Sequence, residues 1–372
     1  MGFEDADHLT FGWVPLAHLR ARGVLGSDRA VDAHRGLSMS KVALAIAAAL
    51  GLTSCASQSS RSTSSKYSLG SYVFQEYPVP PGSGPHDVAP APDGSVWYTA
   101  QRSGQLGKLD PLTGEIHEIP LGAGSAPHGV IVGPDGAPWV TDGGLNAIVR
   151  VDPATEEVQV FPLPTERPNA NLNTATFDQS GLLWFTGQNG VYGRLDPSTG
   201  AMDVFDAPRG PGPYGISTAP SGEVHFASLA GSYVGLIDLE TGAATVLDPP
   251  TPGQGARRVW PDSQSRIWVS EWNAGQLALY DPGIDVWQEW RLPGTRPQAY
   301  AVFVDDGDLV WLSDWGSNSL VLFDPSSEAF QTFTLPSNPA DVRQILGRPG
   351  EIWAAESGVN KLVVLRASKN EE

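Results

Sequence analysis

The sequence predicts an all-β fold, a seven-bladed β-propeller. Three observations carry this. An aromatic strand motif recurs along the 372 residues: VWYT at Trp97, PWVT at Trp139, LWFT at Trp184, IWVS at Trp268, VWLS at Trp311 and IWAA at Trp353. A seventh copy, VHFA, places His225 in the same slot, and successive copies lie 42, 45, 41, 43, 43 and 42 residues apart. Repeats of that length with strand-like sequence are one four-stranded blade each. Finally, the last copy ends in NKLVVLRASKNEE without an outer strand, whereas SYVFQEYPVP (Ser71 to Pro80) reads like the outer strands EIPLG and VFPLP. The N-terminal strand is therefore expected to complete the last blade and close the ring, which removes the open sheet edges.

Each blade divides the same way. In the first, the stretch around Val88 is the innermost strand, Pro92-Asp93-Gly94 is a hairpin turn, and Val96 to Thr99 is the second strand. Gln105 to Asp110 is the third, Pro111 to Gly114 turns the chain, and Glu115 to Leu121 is the outer strand. The 42 glycines and 32 prolines recur at these turns, so they punctuate a fold and do not signal disorder. The third strand ends in aspartate six times, at Asp110, Asp152, Asp196, Asp238, Asp281 and Asp324. Aspartate caps its own backbone two residues on, so these read as turn starters and not as a metal ring. The repeated tryptophan is expected to pack between blades.

The propeller is assigned to residues 71–366, with a short tail at 367–372. Before it, VALAIAAALGLTSC follows Met39-Ser40-Lys41 and ends in small residues. That is a secretory signal pattern, 39–55, too short for a membrane-spanning helix. Its ending, Leu52-Thr53-Ser54-Cys55, resembles the bacterial lipoprotein signal, which implies lipidation at Cys55, export, and a lipid anchor facing the periplasm. Cys55 is the one cysteine, so internal disulfides and cysteine-based zinc sites are excluded. Residues 56–70 are a Ser-rich tether. Residues 1–38 carry no strand pattern and read as an artefact of start-site choice, with Met39 the expected start.

With 41 acidic and 23 basic residues the net charge is −18. No basic stripe is present to displace counterions from phosphates, which excludes nucleic acid as a partner. A closed, acidic propeller is expected to be a soluble monomer apart from its anchor.

Loops at one mouth of the channel are where a site belongs. Aligning the copies puts His86, His128, Asn173, Tyr214, Arg257 with Arg258, Gln298 and Arg343 at the entries of the innermost strands. After the second strands come Gln101, Asp142, Gln188, Glu271-Trp272, Asp314-Trp315 and Glu356. Two readings of Arg257, Arg258, Arg343 and Arg296 stand open. They form salt bridges across the mouth with Glu271, Asp314 and Glu356, or they hold a small anionic ligand stacked on Trp272 and Trp315. His86 and His128, on adjacent blades, are candidate bases or metal ligands, with ordinary turn residues as the alternative. No nucleophile elbow, phosphate loop or HExxH helix occurs.

The blades resemble those of the streptogramin lyases, the virginiamycin B lyase family. The matching segments are PHDVAPAPDGSVWYTA, PHGVIVGPDGAPWVTD and PYGISTAPSGEVHFAS, with Arg296-Pro297-Gln298-Ala299 followed by Ser313-Asp314-Trp315-Gly316-Ser317-Asn318. They span roughly residues 72 to 365. The resemblance implies a carbon–oxygen lyase that opens a cyclic depsipeptide by elimination. In it a histidine removes a proton beside the ester carbonyl, and a magnesium ion held by acidic residues stabilises the resulting charge. By that resemblance, Gln298 and Arg343 occupy the places of the family's histidines, and Asp341 and Glu356 those of its acids. Glutamine is no base and arginine stays protonated, so the basic half of the pattern is missing there. Blade seven adjoins blade one, which makes His86 a replacement base by position. The functions left open are a magnesium-dependent lyase with an altered base, a lactonase-type enzyme, and a non-catalytic propeller binding a small molecule, glycan or protein.

Overall fold

The computed structural model describes residues 72–368, which form seven four-stranded antiparallel sheets. The expected start-site segment, signal, Cys55, tether and the last residues of the tail lie outside the described residues. The first sheet runs outward from Pro85–Pro90 through Val96–Ala100 and Gln105–Leu109 to Ile116–Pro120, the order expected from its turns. Five more blades repeat it. The seventh is built from Val342–Arg348, Glu351–Glu356 and Lys361–Ala367, and its outer strand is Tyr72–Pro78. Phe74 faces Leu365 and Tyr77 faces Leu362 in that pairing. The ring is therefore closed by its two ends, as expected.

The six aspartates cap turns. Each accepts the backbone N–H two residues on, as Asp110 does from Leu112 and Asp324 from Ser326, both at 2.8 Å. The tryptophans fill the space between blades: Trp311 lies in a cluster with Ala301, Val342 and Ile345, and Trp353 in one with Val88 and Tyr98. Five also donate an indole N–H to an acid of the preceding hairpin, as Trp184 does to Asp178 at 2.8 Å and Trp353 to Glu351 at 2.7 Å. On blade four the hairpin is Pro220-Ser221-Gly222, and His225 stands in for tryptophan. Both its ring nitrogens are buried without a partner among the described residues, and burial lowers its pKa to about 4.

Adjacent blades are tied by a hydroxyl two residues after the tryptophan. Thr99 accepts the N–H of Asp87 (3.0 Å) and donates to the carbonyl of His128 on the next blade (2.7 Å). Thr141, Thr186, Ser270 and Ser313 repeat the bridge. The bridge answers a local need, because all seven innermost strands carry a register shift near their start. A bulge leaves a backbone N–H outside the ladder, and the hydroxyl accepts it. Beside these bulges four inner strands carry two consecutive buried polar residues, His86-Asp87, Asn173-Thr174, Arg257-Arg258 and Arg343-Gln344.

Candidate functional site

Strand register identifies seven equivalent places, each one residue into its inner strand: His86, His128, Asn173, Tyr214, Arg257, Tyr300 and Arg343. All are buried. Six were expected from the sequence. On blade six the place belongs to Tyr300 and not Gln298. The strand there begins at Ala299, and Gln298 is exposed, its backbone N–H donated to Asp314 Oδ1 at 2.7 Å. A signal for Tyr300 was present, since it precedes Trp311 by the same eleven residues that separate His86 from Trp97 and Arg257 from Trp268. On four strands the following residue is also buried and polar, Asp87, Thr174, Arg258 and Gln344, whereas blades two, four and six have Gly129, Gly215 and Ala301 there.

These side chains plug the channel. Arg257 sits in a box of aromatic rings, its guanidinium carbon 3.4 Å from the centroid of Tyr300 and 4.6 Å from those of Tyr214 and Trp272. It donates to the Tyr214 hydroxyl at 3.0 Å, and that hydroxyl is hydrogen-bonded to Tyr300. Arg258 donates to Thr174 Oγ1 (2.9 Å) and to Asp87 Oδ1 (3.3 Å). Arg343 donates to Ser357 Oγ at 3.1 Å and lies over Trp315. The first two arginines are therefore held by rings, hydroxyls and Asp87, while Glu271, Asp314 and Glu356 stand elsewhere. Burial raises the pKa of Tyr214, but Arg257 and Arg258 outweigh it and hold the phenol below its ordinary value.

His86 and His128 lie together, with ring centroids 3.8 Å apart. His86 Nδ1 is 2.8 Å from Asp87 Oδ1, and His128 Nδ1 is 3.0 Å from the Asn173 carbonyl. Carboxylate and carbonyl only accept, so both rings carry their proton on Nδ1. Burial lowers the pKa of both, and Arg258 and Arg257 lower it further, against the raising effect of Asp87 on His86. Both imidazoles are neutral at pH 7. They are also below the floor of the mouth, 1% and 5% exposed.

The acids divide by role. Asp142 accepts the Ala126 and Leu145 N–H groups at 2.9 Å, and Asp314 accepts from Gln298 and Gly316, so both shape turns. Glu271 and Glu356 are buried carboxyls whose pKa is pushed up to about 8, first by burial and then by Glu289 and Glu76 respectively. Magnesium asks for about six oxygen ligands in tight octahedral geometry. Asp341 and Glu356 do not supply it. Lys361 already stands at this corner, 2.5 Å from Glu76, and Arg343 binds Ser357, whose Oγ donates to the Asp341 carbonyl. Among the described residues, the group of three ligand-bearing side chains that does converge is His86, Asp87 and His128, its atoms within 4.8 Å of one another. Neither Asp341 nor Glu356 joins His86.

A cavity of about 680 Å³ lies between the loops of blades five and six, walled by Trp272, Trp315, Arg291, Arg296, Pro297 and Gln298. Trp272 and Trp315 meet edge to face at 5.5 Å, and Trp315 stacks on Tyr300 at 5.1 Å. Arg291 reaches the Ala274 carbonyl at 3.0 Å, and neither it nor Arg296 has an ion-pair partner among the described residues. A second cavity, of about 730 Å³, is lined by the inner strands of blades two to six and edged by Asp262, Asp305, Asp306 and Asp308. Three of those carboxylates are engaged in turns or with Trp268, Trp311 and Ser263, so the arginine-bearing mouth is the better-furnished one.

A family model described as the virginiamycin B lyase family matches residues 70–286. Among solved structures, a streptogramin B lyase superimposes with a TM-score of 0.74 at 22% identity, covering 80% of this chain and 98% of that one. A catalytically inactive histidine-to-alanine variant of virginiamycin B lyase from Staphylococcus aureus, with quinupristin, gives 0.74 at 21%, covering 80% and 99%. YCF48 bound to D1 peptide gives 0.64 at 14%, covering 80% and 97%. At these identities the likeness is one of fold. No curated protein matches.

Proposed function

The chain belongs to the virginiamycin B lyase family, and from that premise we propose that it is a propeller that binds a small anionic ligand bearing a flat ring at its arginine-bearing mouth. One observation carries this reading: Arg291 and Arg296, without acidic partners among the described residues, line the same cavity as Trp272 and Trp315, in a chain of charge −18. A cavity of about 680 Å³ is of the size that encloses a small molecule, and guanidinium groups with aromatic faces recognise carboxylate or phosphate joined to a ring. The elimination implied by the family is not expected. Tyr300 and Arg343 hold the inner-strand places on blades six and seven, Gln298 is no base, and the donor set at Asp341 and Glu356 does not suit magnesium.

A second reading keeps an enzyme. The His86–Asp87 pair, with the carboxylate orienting the imidazole at 2.8 Å, is the arrangement of a general base. Its burial places it out of a substrate's reach, which ranks this reading second.

The test uses the purified chain with phenyl phosphate as probe, followed by saturation-transfer NMR and calorimetry. Saturable binding that falls at least about tenfold in Arg296→Ala and Trp315→Ala is the expected result, one charge-assisted contact being worth about 1.5–3 kcal/mol. Absent binding, or binding indifferent to both substitutions, rejects the reading. In parallel, incubation with quinupristin and magnesium is read by mass spectrometry and chromatography. The cyclic antibiotic is expected unchanged, and a linear product of equal mass would replace this reading with the lyase.

The envelope location belongs to the same proposal. A signal resembling that of lipoproteins, followed by a Ser-rich tether, supports a protein held at a membrane by lipid.

A further inference from the structure

We propose that the second cavity, of about 730 Å³, is a binding site for a small organic cation, a primary ammonium group carried on an apolar body. It is separate from the cavity between the loops of blades five and six and stands whatever binds there. Three features lead to it.

The first is the order of side chains along the wall. On blade five the inner strand Ala256–Pro261 runs Arg258, Val259, Trp260, Pro261, and Asp262 follows in its hairpin. At about 3.3 Å per residue, this strand sets the guanidinium-bearing and carboxylate-bearing residues roughly 13 Å apart, with apolar residues between. Other blades extend both levels. Ile131, Phe177, Ile216 and Val304 add to the apolar section, and Asp305, Asp306 and Asp308 of the next hairpin continue the edge. A smaller void of about 30 Å³ shares Ile131, Ala175, Ile216 and Trp260 with this cavity and reaches Arg258 and Gln344, nearer the strand starts. A charged head therefore meets carboxylates at the hairpins and a buried guanidinium farther in. A cation is held at the edge, and its apolar body points inward.

The second is the charge at that edge. Asp262 is answered by Arg266 at 2.7 Å. Asp305, Asp306 and Asp308 have no cationic partner among the described residues. Asp305 accepts the Gly307 and Leu309 N–H groups and the Trp311 indole, and Asp308 accepts the N–H and hydroxyl of Ser263. These donors are neutral and fix the carboxylates in place without cancelling their charge. Asp306 is exposed and accepts no hydrogen bond among the described residues. Carboxylates of one sign around an opening with apolar walls concentrate cations there.

The third is a hydroxyl on the wall. Ser217 lines the cavity and is 4% exposed, and its Oγ is buried without a partner among the described residues. Such groups are uncommon and call for an occupant. Ser217 stands between Ile216 and the Ala219-Pro220 turn, where the apolar section gives way to the edge. A primary ammonium has three N–H groups, enough to reach a carboxylate and this hydroxyl together. Trp260, partly buried and packed on Phe303 at 5.2 Å, adds an aromatic surface of the kind that attracts cations.

The experiment titrates the purified chain with phenethylammonium chloride and with 2-phenylethanol, a neutral molecule of nearly the same shape. Calorimetry and saturation-transfer NMR read both. The cation is expected to bind at least about fivefold more tightly than the alcohol, and less tightly as salt is raised. Asp306→Lys, at an exposed position, is expected to weaken the cation at least about fivefold and to leave the alcohol within about twofold. Glu240→Lys, the same change of charge on an exposed outer turn of blade four, is expected to leave both within about twofold. Asp306→Asn serves as the second variant should Asp306→Lys fail to fold, and is expected to weaken the cation about two- to threefold. Ser217→Ala is expected to weaken the cation about two- to threefold without lowering thermal stability, since its hydroxyl has no partner to lose. Equal affinity for the two probes, no binding of the cation at millimolar concentration, or an equal loss in Glu240→Lys overturns the proposal. So does cation binding that survives both Asp306 variants but is lost in Arg296→Ala, which would place it in the other cavity.

Discussion

Glu356 shows how much one side chain depends on its surroundings. At the end of its strand it reads as one more acid at the mouth. In the fold it is fully buried, and burial, then the neighbouring Glu76, raises its pKa to about 8 against the pull of Lys361. Between its ordinary value of 4.5 and about 8, the folded chain holds a proton that the unfolded chain has released. Stability therefore falls as pH rises through that window, and Glu271 adds in the same direction. Glu356→Gln keeps the shape and removes the titration. It is expected to leave thermal stability nearly unchanged at pH 5 and to raise it at pH 8 by on the order of 1–3 kcal/mol. Parallel pH–stability curves for the two proteins, measured by calorimetry, would refute the assignment. The same dependence on surroundings separates Tyr300 from Gln298. Both follow a Pro-rich turn, but strand register sends the tyrosine into the wall and the glutamine to solvent.

At the scale of the element, a blade is local and the joint between blades is not. Strand order, hairpins and capping aspartates were legible because each depends on residues close in sequence. The hydroxyl in VWYT, PWVT, LWFT, IWVS and VWLS was visible as a pattern, but its work was not. Its acceptor lies on the next blade, 29 residues on for Thr99 and 32 for Thr141. Thr141→Val preserves volume and strand propensity while leaving the Gly129 N–H unanswered at its bulge. A loss of about 1–3 kcal/mol is expected from urea unfolding. A change below a few tenths would show that the bridge is incidental. Close approach inside a blade is likewise a pairing matter. A Cβ at Gly107 would meet the Tyr98 ring at 2.1 Å, and one at Gly235 the Phe226 ring at 2.3 Å, so glycine there makes room for the aromatic of the neighbouring strand.

For the whole molecule, closure is the governing fact. The strand Tyr72–Pro78 reaches across the entire chain to Lys361–Ala367, so the two ends hold each other and the sheet edges are covered. The charge is unevenly used: carboxylates edge one mouth, while Arg291 and Arg296 mark the other. The proposed anchor belongs to this scale, since a tether from Cys55 would present the whole propeller to its surroundings. Cys55→Ala is expected to move the protein from the membrane fraction to the soluble fraction of its host and to abolish labelling by radioactive palmitate. Membrane retention and labelling in the variant would remove the lipid anchor from the proposal.

By itself the sequence determined the seven blades, their turns and the strand that closes the ring. These follow from periodicity, turn chemistry and a missing outer strand, all properties of neighbouring residues. Only the tertiary structure decided what the inner wall does. Seven inner strands converge on one axis, four of them with two consecutive buried polar side chains, and convergence is a sum over residues as far apart as Asp87 and Arg258. It sank the two histidines beneath the mouth, enclosed Arg257 in aromatic rings and set His86, Asp87 and His128 side by side. No stretch of chain holds that information, because burial and distance there are created by closure of the ring.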